Sequence, residues 1–191
     1  MRFTRISGKA TNSTMSEARS PLAMLLGCHV RIRHFMQLSR SLADAQDVPQ
    51  LEIADAASAV FRYFSHALPL HEADENETLF PRLCAALPHG LVREAAETMV
   101  EQHKAIDELT EELLSLCAWL KRDPERLPLV ARRLEHVTSA LDKIFAAHLL
   151  LEETVIFPFL DELLSSAQMD EMLFEMNQRR RTSSGAIHLV Q

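Results

Sequence analysis

Two stretches of the chain repeat the same arrangement of residues that can bind metal. "HEADENETLFPRL" covers residues 71–83 and "HLLLEETVIFPFL" covers residues 148–160; both contain a His, a Glu four positions later and a Phe-Pro pair. In a helix, a spacing of four places the His and the Glu on the same face. Imidazole nitrogen and carboxylate oxygen together suit iron, manganese or zinc. We interpret the two stretches as two parts of one metal site.

Two further histidines lie on apolar helical stripes. His29 follows Leu22 and Leu25 and precedes Ile32, while His103 lies between Met99 and Ile106, and "HVRI" at His29 resembles "HKAI" at His103. All four histidines therefore face one interior, with a Glu on two of the helices. A buried carboxylate is costly unless a charge compensates it. The predicted metal ligands are His29, His71, Glu75, His103, His148 and Glu152.

This donor set predicts two metal ions. Two divalent cations would compensate the negative charge of the two carboxylates, which would repel each other without metal. Each ion would take two histidines and a share of both glutamates. We expect iron, with manganese or zinc as alternatives, bridged by the carboxylates and an oxo, hydroxo or water ligand, with room for O2. Each piece alone has an ordinary interpretation: one buried His is commonly a hydrogen-bonded core residue, and His-x-x-x-Glu is a common ion-pair spacing. The recurrence on four stripes favours metal.

Three residues near the ligands have open roles. Glu72 and Asp107 are candidates for additional ligands or for acceptors of imidazole N–H groups, and Asp107 is equally consistent with a surface position. His34 is a candidate for the same supporting role or for the surface. The remaining histidines are predicted to lie outside the site: His66, His89, His136 and His188.

Composition predicts an all-α, water-soluble chain. The 191 residues include only 4 glycines, and the net charge of -7 argues against a nucleic-acid partner. No apolar run approaches the roughly 20 residues of a membrane span.

The chain has three cysteines: Cys28, Cys84 and Cys117. They are expected to be buried thiols in a reducing compartment such as the cytoplasm, and a redox role for Cys28 is the alternative.

Hydrophobic periodicity predicts four long helices joined by short turns, in an up-down-up-down bundle. The expected spans are about 21–43, 49–87, 91–120 and 127–164, with Ser20 as the first N-cap and a kink or break at Pro69 and Pro81. A short helix is expected at about 166–180, capped by Ser165 and Gln168. By domain, we predict a disordered lead-in at 1–19, the bundle at 20–165, and a short helix with a mobile tail at 166–191.

Four motifs resemble the hemerythrin-like, or HHE cation-binding, family over about residues 21–165: "CHVRI", "LPLHEADENETLFP", "EQHKAI" and "HLLLEETVIFP". The resemblance implies a four-helix bundle around a non-haem di-iron centre, held by the six residues named above. It also implies binding or sensing of O2, NO or peroxide, or of iron status, with no protein partner identified.

One departure from the family bears on function. Oxygen-carrying hemerythrins have two histidines four apart on the third helix, whereas here Asp107 follows His103 at that spacing. The departure favours a sensor of oxygen or iron over a dedicated carrier. Two alternatives remain: a di-iron enzyme that reduces peroxide or O2, and a metal-free bundle that acts through protein contacts. A ferritin-like site is disfavoured, because none of the nine histidines has a Glu three positions before it.

Overall fold

A computed structural model describes residues 20–45 and 47–187, and within those ranges the chain forms helices and no strands. The first helix, α1, spans Pro21–Ala43. Its N-cap is Ser20, whose hydroxyl oxygen accepts a hydrogen bond from the Ala23 N–H at 3.1 Å. Pro21 occupies the first turn, where its missing N–H costs nothing. The predicted start of this helix and its predicted N-cap are confirmed. The predicted lead-in at 1–19 lies outside the described residues.

The second helix, α2 (50–86), alternates between α-helical and π-helical turns. The α-helical segments are Gln50–Arg62, Leu68–Ala73 and Phe80–Ala86, and the π-helical segments between them are Tyr63–Ala67 and Asp74–Leu79. Each π segment ends just before Pro69 or Pro81. Proline lacks an N–H and its ring crowds the preceding turn, and a wider turn relieves that crowding. The helix therefore continues without a break through Pro69 and Pro81, with a π-helical segment before each proline.

The third and fourth helices complete the part of the fold that was expected to hold metal. Helix α3 spans Leu91–Leu120 and follows Gly90, whose φ of 112° suits a residue without a Cβ. After a 3-10 turn at Pro124–Arg126, α4 (127–163) comprises Leu127–Leu151, a π-helical segment Glu152–Ile156, a 3-10 turn Phe157–Phe159 and Leu160–Leu163. A π segment again precedes a proline, Pro158.

A fifth helix, α5, spans Ser166–Ile187 and is longer than the predicted short helix. Its start is the predicted capping box: the Ser165 backbone N–H donates to Gln168 Oε1 at 2.9 Å, and the Gln168 N–H donates to Ser165 Oγ at 3.3 Å. Residues 181–187 are helical, so the helix continues beyond its predicted end near Arg180. α5 packs on the bundle through Met172 and Met176. Residues 188–191 lie outside the described part of the chain.

Two apolar clusters form the core, one on each side of the predicted ligands along the helices. The larger cluster contains Ile32, Phe64, Ile106, Leu113 and Leu141, and the smaller one contains Leu25, Leu79, Met99, Phe157 and, from α5, Met172 and Met176. His29 lies between Leu25 and Ile32, and His103 lies between Met99 and Ile106. The polar residues therefore form a layer between two apolar regions.

The cysteines are free thiols, of which Cys28 and Cys117 are buried and Cys84 is half-buried. Complete burial was therefore predicted correctly for two of the three. Among the described helices, none has the length and apolar character needed to cross a membrane.

Candidate metal centre

Four helices bring the six predicted ligands together in the interior. None of the six residues is more than 3% exposed, and both glutamates are fully buried. Helix α1 contributes His29 and α3 contributes His103, while α2 and α4 each contribute a His and a Glu. Periodicity places each residue on its inward face, and helix packing then unites the four faces.

The donor atoms form two groups that share both glutamates. The first group is His29, His71, Glu75 and Glu152; the second is Glu75, His103, His148 and Glu152; within each group the atoms lie within 4.8 Å of one another. Each group therefore offers two imidazole nitrogens and two carboxylate oxygens.

Each carboxylate directs one oxygen to each group. Glu75 Oε1 lies 3.1 Å from His71 Nε2, and Glu75 Oε2 lies 3.1 Å from His103 Nε2. Glu152 Oε1 lies 3.3 Å from His148 Nε2, and Glu152 Oε2 lies 3.0 Å from His29 Nε2. This geometry is suited to two cations bridged by two glutamates.

Several of these buried atoms have no hydrogen-bond partner among the described residues, although the groups lie close together. They are Nε2 of His29 and His71, Oε1 of Glu75 and both carboxylate oxygens of Glu152. Buried polar atoms in folded proteins are normally paired. Their concentration between two carboxylates and four imidazoles fits a bound cation.

Three of the four imidazoles are oriented through their second nitrogen. The Nδ1–H of His29 donates to Glu153 Oε1 at 2.7 Å, that of His103 to Asn76 Oδ1 at 2.9 Å, and that of His148 to Gln102 Oε1 at 3.0 Å. A donor at Nδ1 leaves Nε2 as the atom available to a metal.

Sequence reasoning missed these acceptors. Asn76 and Glu153 each directly follow one of the glutamates, and Gln102 directly precedes His103. A polar residue next to a ligand in both repeats was therefore the available signal. Arg33 in turn donates to both oxygens of Glu153 at 2.9 Å, so α1 contributes two groups that hold this carboxylate.

Burial and neighbouring charges shift the pKa values of the histidines in opposite directions. Burial would lower the pKa of His29, but Glu152, Glu75 and Glu153 outweigh it and raise this pKa to about 10. Burial lowers the pKa of His71 to about 4 and that of His148 to about 3. In the metal-free protein at neutral pH, His29 is therefore an imidazolium and the other two are neutral.

The pKa values of the two glutamates are also shifted in opposite directions. Burial and the charge of Glu75 raise the pKa of Glu152. Burial would also raise the pKa of Glu75, but His71, His103 and His29 outweigh it and lower this pKa. Two carboxylates that share one cavity cannot both ionise freely without compensating cations.

Both glutamates lie in π-helical turns. Glu75 belongs to Asp74–Leu79 and Glu152 begins Glu152–Ile156. Single π turns inside α-helices are frequent at functional sites, because the extra residue changes the direction of side chains. The Phe-Pro pair of each repeated motif thus accompanies a wide turn that carries a carboxylate.

The three residues with open roles lie outside both groups. His34 is exposed, with its ring against Phe35. Asp107 is exposed, and Glu72 is half-buried beside it: burial and then Asp107 raise the pKa of Glu72 to about 8. His66, His89 and His136 are exposed and lie outside both groups, as expected, and His188 lies outside the described residues.

Comparisons with known proteins agree with this geometry. The family model described as the hemerythrin HHE cation-binding domain matches residues 20–118 and again residues 94–187. A Haemophilus influenzae protein described only as uncharacterized is 26% identical over 168 residues, which is 84% of this chain and 90% of that protein. No solved structure matches the chain significantly. The chain belongs to the hemerythrin family of HHE cation-binding domains.

Proposed function

We propose that this protein binds two iron ions in a non-haem centre and uses that centre to bind or sense O2 or a related small ligand, or iron status. The observation that carries the proposal is the pair of donor groups that share both glutamates. Manganese or zinc in the same positions are the alternative metals. In this proposal, α1 to α4 run alternately up and down, so that each contributes its His to one layer.

Bound iron would supply electron transfer and a coordination position for a small ligand. The protein's own residues orient the imidazoles, exclude water and hold protons. The six residues are at most 3% exposed, so a ligand that reaches them would be about the size of O2, NO or peroxide. This restriction supports a small-ligand function over one that acts on a large substrate.

Metal analysis of matched variants tests the centre. Wild-type protein loaded anaerobically with Fe(II) and then gel-filtered should retain two ions per chain. His148→Asn removes a donor from one group only and should reduce retention toward one ion, whereas Glu75→Gln removes a donor from both groups and should reduce it further. His136→Asn, an exposed histidine on α4, is the control and should retain two ions. Wild-type protein without stoichiometric metal would refute the proposal.

Exposure to gas tests the small-ligand function. The reduced, iron-loaded protein should develop near-ultraviolet and visible absorption on admission of air, and the Glu75→Gln variant should not. Steady consumption of peroxide or O2 with an electron donor would support the di-iron enzyme instead. An iron-loaded protein whose spectrum is unchanged by O2, NO and peroxide would limit the function to iron binding.

We also propose a cytoplasmic location, on the ground that the three cysteines are unpaired thiols. Thiols without a disulfide partner are typical of a reducing compartment.

A further inference from the structure

A buried carboxylate next to one of the proposed ligands is neutralised from α5. Asp74 is fully buried and directly precedes Glu75 in the π-helical turn of α2. Its Oδ1 accepts from Arg179 Nη1 at 2.8 Å and its Oδ2 accepts from Arg180 Nη2 at 2.6 Å. A buried carboxylate requires such partners, because removal of them leaves an uncompensated charge.

The same two arginines reach other parts of the centre's surroundings. Arg179 Nη2 donates to Thr78 Oγ1 at 2.6 Å and lies 3.2 Å from Glu77 Oε2. Arg180 Nη2 lies 3.8 Å from Sγ of Cys28, the residue before His29. α5 therefore contacts three residues of the turn that carries Glu75 and the neighbour of a ligand on α1.

A second set of contacts joins α5 to the same turn. Arg82 donates to the Thr78 carbonyl oxygen at 2.9 Å and to Glu175 of α5 at 2.8 and 3.1 Å. Met172 and Met176 of α5 are fully buried in the smaller apolar cluster, which includes Leu79. α5 is thus part of the packed core beside the π turn.

The sequence spacing also makes α5 part of the repeat. The spacing between Glu75 and Glu152 recurs between Met99 and Met176 and between His103 and Arg180. α5 therefore follows α4 as α3 follows α2, and the second family match extends through this helix to residue 187. His103 of α3 contacts Glu75, and Arg180, at the corresponding position of α5, binds Asp74.

The two halves of the centre are supported differently. At the position in α4 that corresponds to Asp74, the residue is Leu151. The α4 turn is held instead through Glu153, which bonds to His29 and Arg33 of α1. The Glu75 turn is therefore the one that depends on α5.

We propose that Arg179 and Arg180 are positioning residues that act through Asp74, so that docking of α5 and occupation of the metal centre strengthen each other. This inference rests on the proposed metal-binding function. If the arginines are removed, contact with water stabilises the charged Asp74 carboxylate. Asp74 therefore moves toward the surface, and that movement shifts the turn that carries Glu75. Coupling of two binding equilibria is reciprocal, so metal should in turn stabilise α5 on the bundle.

The test compares two charge-removing changes on one helix. Arg179→Met/Arg180→Met removes both partners of Asp74, and Arg181→Met removes an exposed neighbour in the same helix. Fe(II) affinity is measured anaerobically by competition with a chromogenic chelator. We expect the double variant to bind Fe(II) about tenfold or more weakly, within the usual range of such couplings, and Arg181→Met to match wild type.

Hydrogen exchange supplies a readout that is independent of the ion count. In wild type, metal should slow exchange of α5 backbone amides, and in the double variant this metal-dependent protection should be absent. If the double variant does not fold, Asp74→Asn/Arg179→Met/Arg180→Met removes the buried charge together with its partners. This neutral variant should fold, because no buried charge is left without a partner. It should still lack the metal-dependent protection of α5, because the ion pairs that join α5 to the Glu75 turn are absent.

The outcomes separate the two proposals. Wild type that binds two ions would leave the metal function intact. The coupling would then be refuted by a double variant of unchanged affinity, or by a neutral variant that keeps the metal-dependent protection of α5. The same would follow if metal did not change exchange in wild-type α5. Wild type that binds no metal would refute both proposals.

Discussion

His29 is the residue at which metal binding and proton binding compete most directly. Its Nε2 lies 3.0 Å from Glu152 Oε2 and its Nδ1 lies 2.7 Å from Glu153 Oε1. A carboxylate at each nitrogen favours the doubly protonated ring, which is why the pKa rises to about 10 despite burial. A metal at Nε2 requires the neutral ring, so the cation must displace a proton that the carboxylates now hold.

We predict that metal binding at pH 7 releases protons and that apparent affinity increases with pH. His29 is protonated well above pH 7 in the metal-free protein, so a rise in pH from 7 to 9 removes part of the cost of deprotonation. One released proton corresponds to up to about tenfold in affinity per pH unit. Calorimetry of Mn(II) binding in buffers of different ionisation enthalpy measures the release; an observed enthalpy that is independent of the buffer would contradict the prediction. The exposed His34→Gln variant should behave as wild type.

At the scale of elements, the bundle helices combine a polar site with a continuous apolar face. The ligands lie on stripes that also contain fully buried leucines, such as Leu113 in α3 and Leu134 and Leu141 in α4. Those apolar residues provide the burial free energy that holds the helices together, because the polar layer contributes little without a cation. The π turns before Pro81 and Pro158 then adjust the direction of the two glutamates within otherwise regular helices.

Two leucines of α4, one buried and one exposed, test whether the buried apolar residues provide the free energy of unfolding. Leu134 is fully buried, whereas Leu129 is 80% exposed. We predict that Leu134→Ala lowers the free energy of unfolding by about 2–5 kcal/mol because it leaves a cavity. Leu129→Ala should change it by less than about 0.5 kcal/mol. Urea unfolding in the presence of a chelator measures both without a contribution from metal; equal effects of the two substitutions would show that the helix packs differently.

At the scale of the whole molecule, the metal layer divides the core. The larger apolar cluster lies to one side, and the smaller cluster, which includes α5, lies to the other. Between them, Glu75 and Glu152 are fully buried, and three of their carboxylate oxygens lack a hydrogen-bond partner in the part of the chain that the structure describes. In the metal-free state, the polar layer between the two clusters lowers the free energy of unfolding. A cation that binds only the folded state raises it.

We predict that removal of metal lowers the melting temperature and that its return restores it. Free metal at 100 times the Kd stabilises a one-site protein by about 2.7 kcal/mol. Scanning calorimetry with and without a chelator measures the shift. The Glu75→Gln variant serves as the comparison, since it should melt at nearly the same temperature in both conditions. An unchanged wild-type melting temperature would contradict a structural contribution from metal.

The sequence by itself determined which side chains face the interior. A spacing of four places His71 with Glu75 and His148 with Glu152, and the apolar stripes of α1 and α3 add His29 and His103; these relations follow from the period of a helix. The sequence also predicted that both groups share the glutamates, but only the tertiary structure decided which histidine lies next to which carboxylate oxygen. It alone showed that Asn76, Gln102 and Glu153 orient the imidazoles. It also decided that α5 extends to Ile187 and that its arginines bind Asp74. These contacts join residues far apart in the chain, and they depend on how helices rotate and approach one another, which the periodicity of a single helix does not specify.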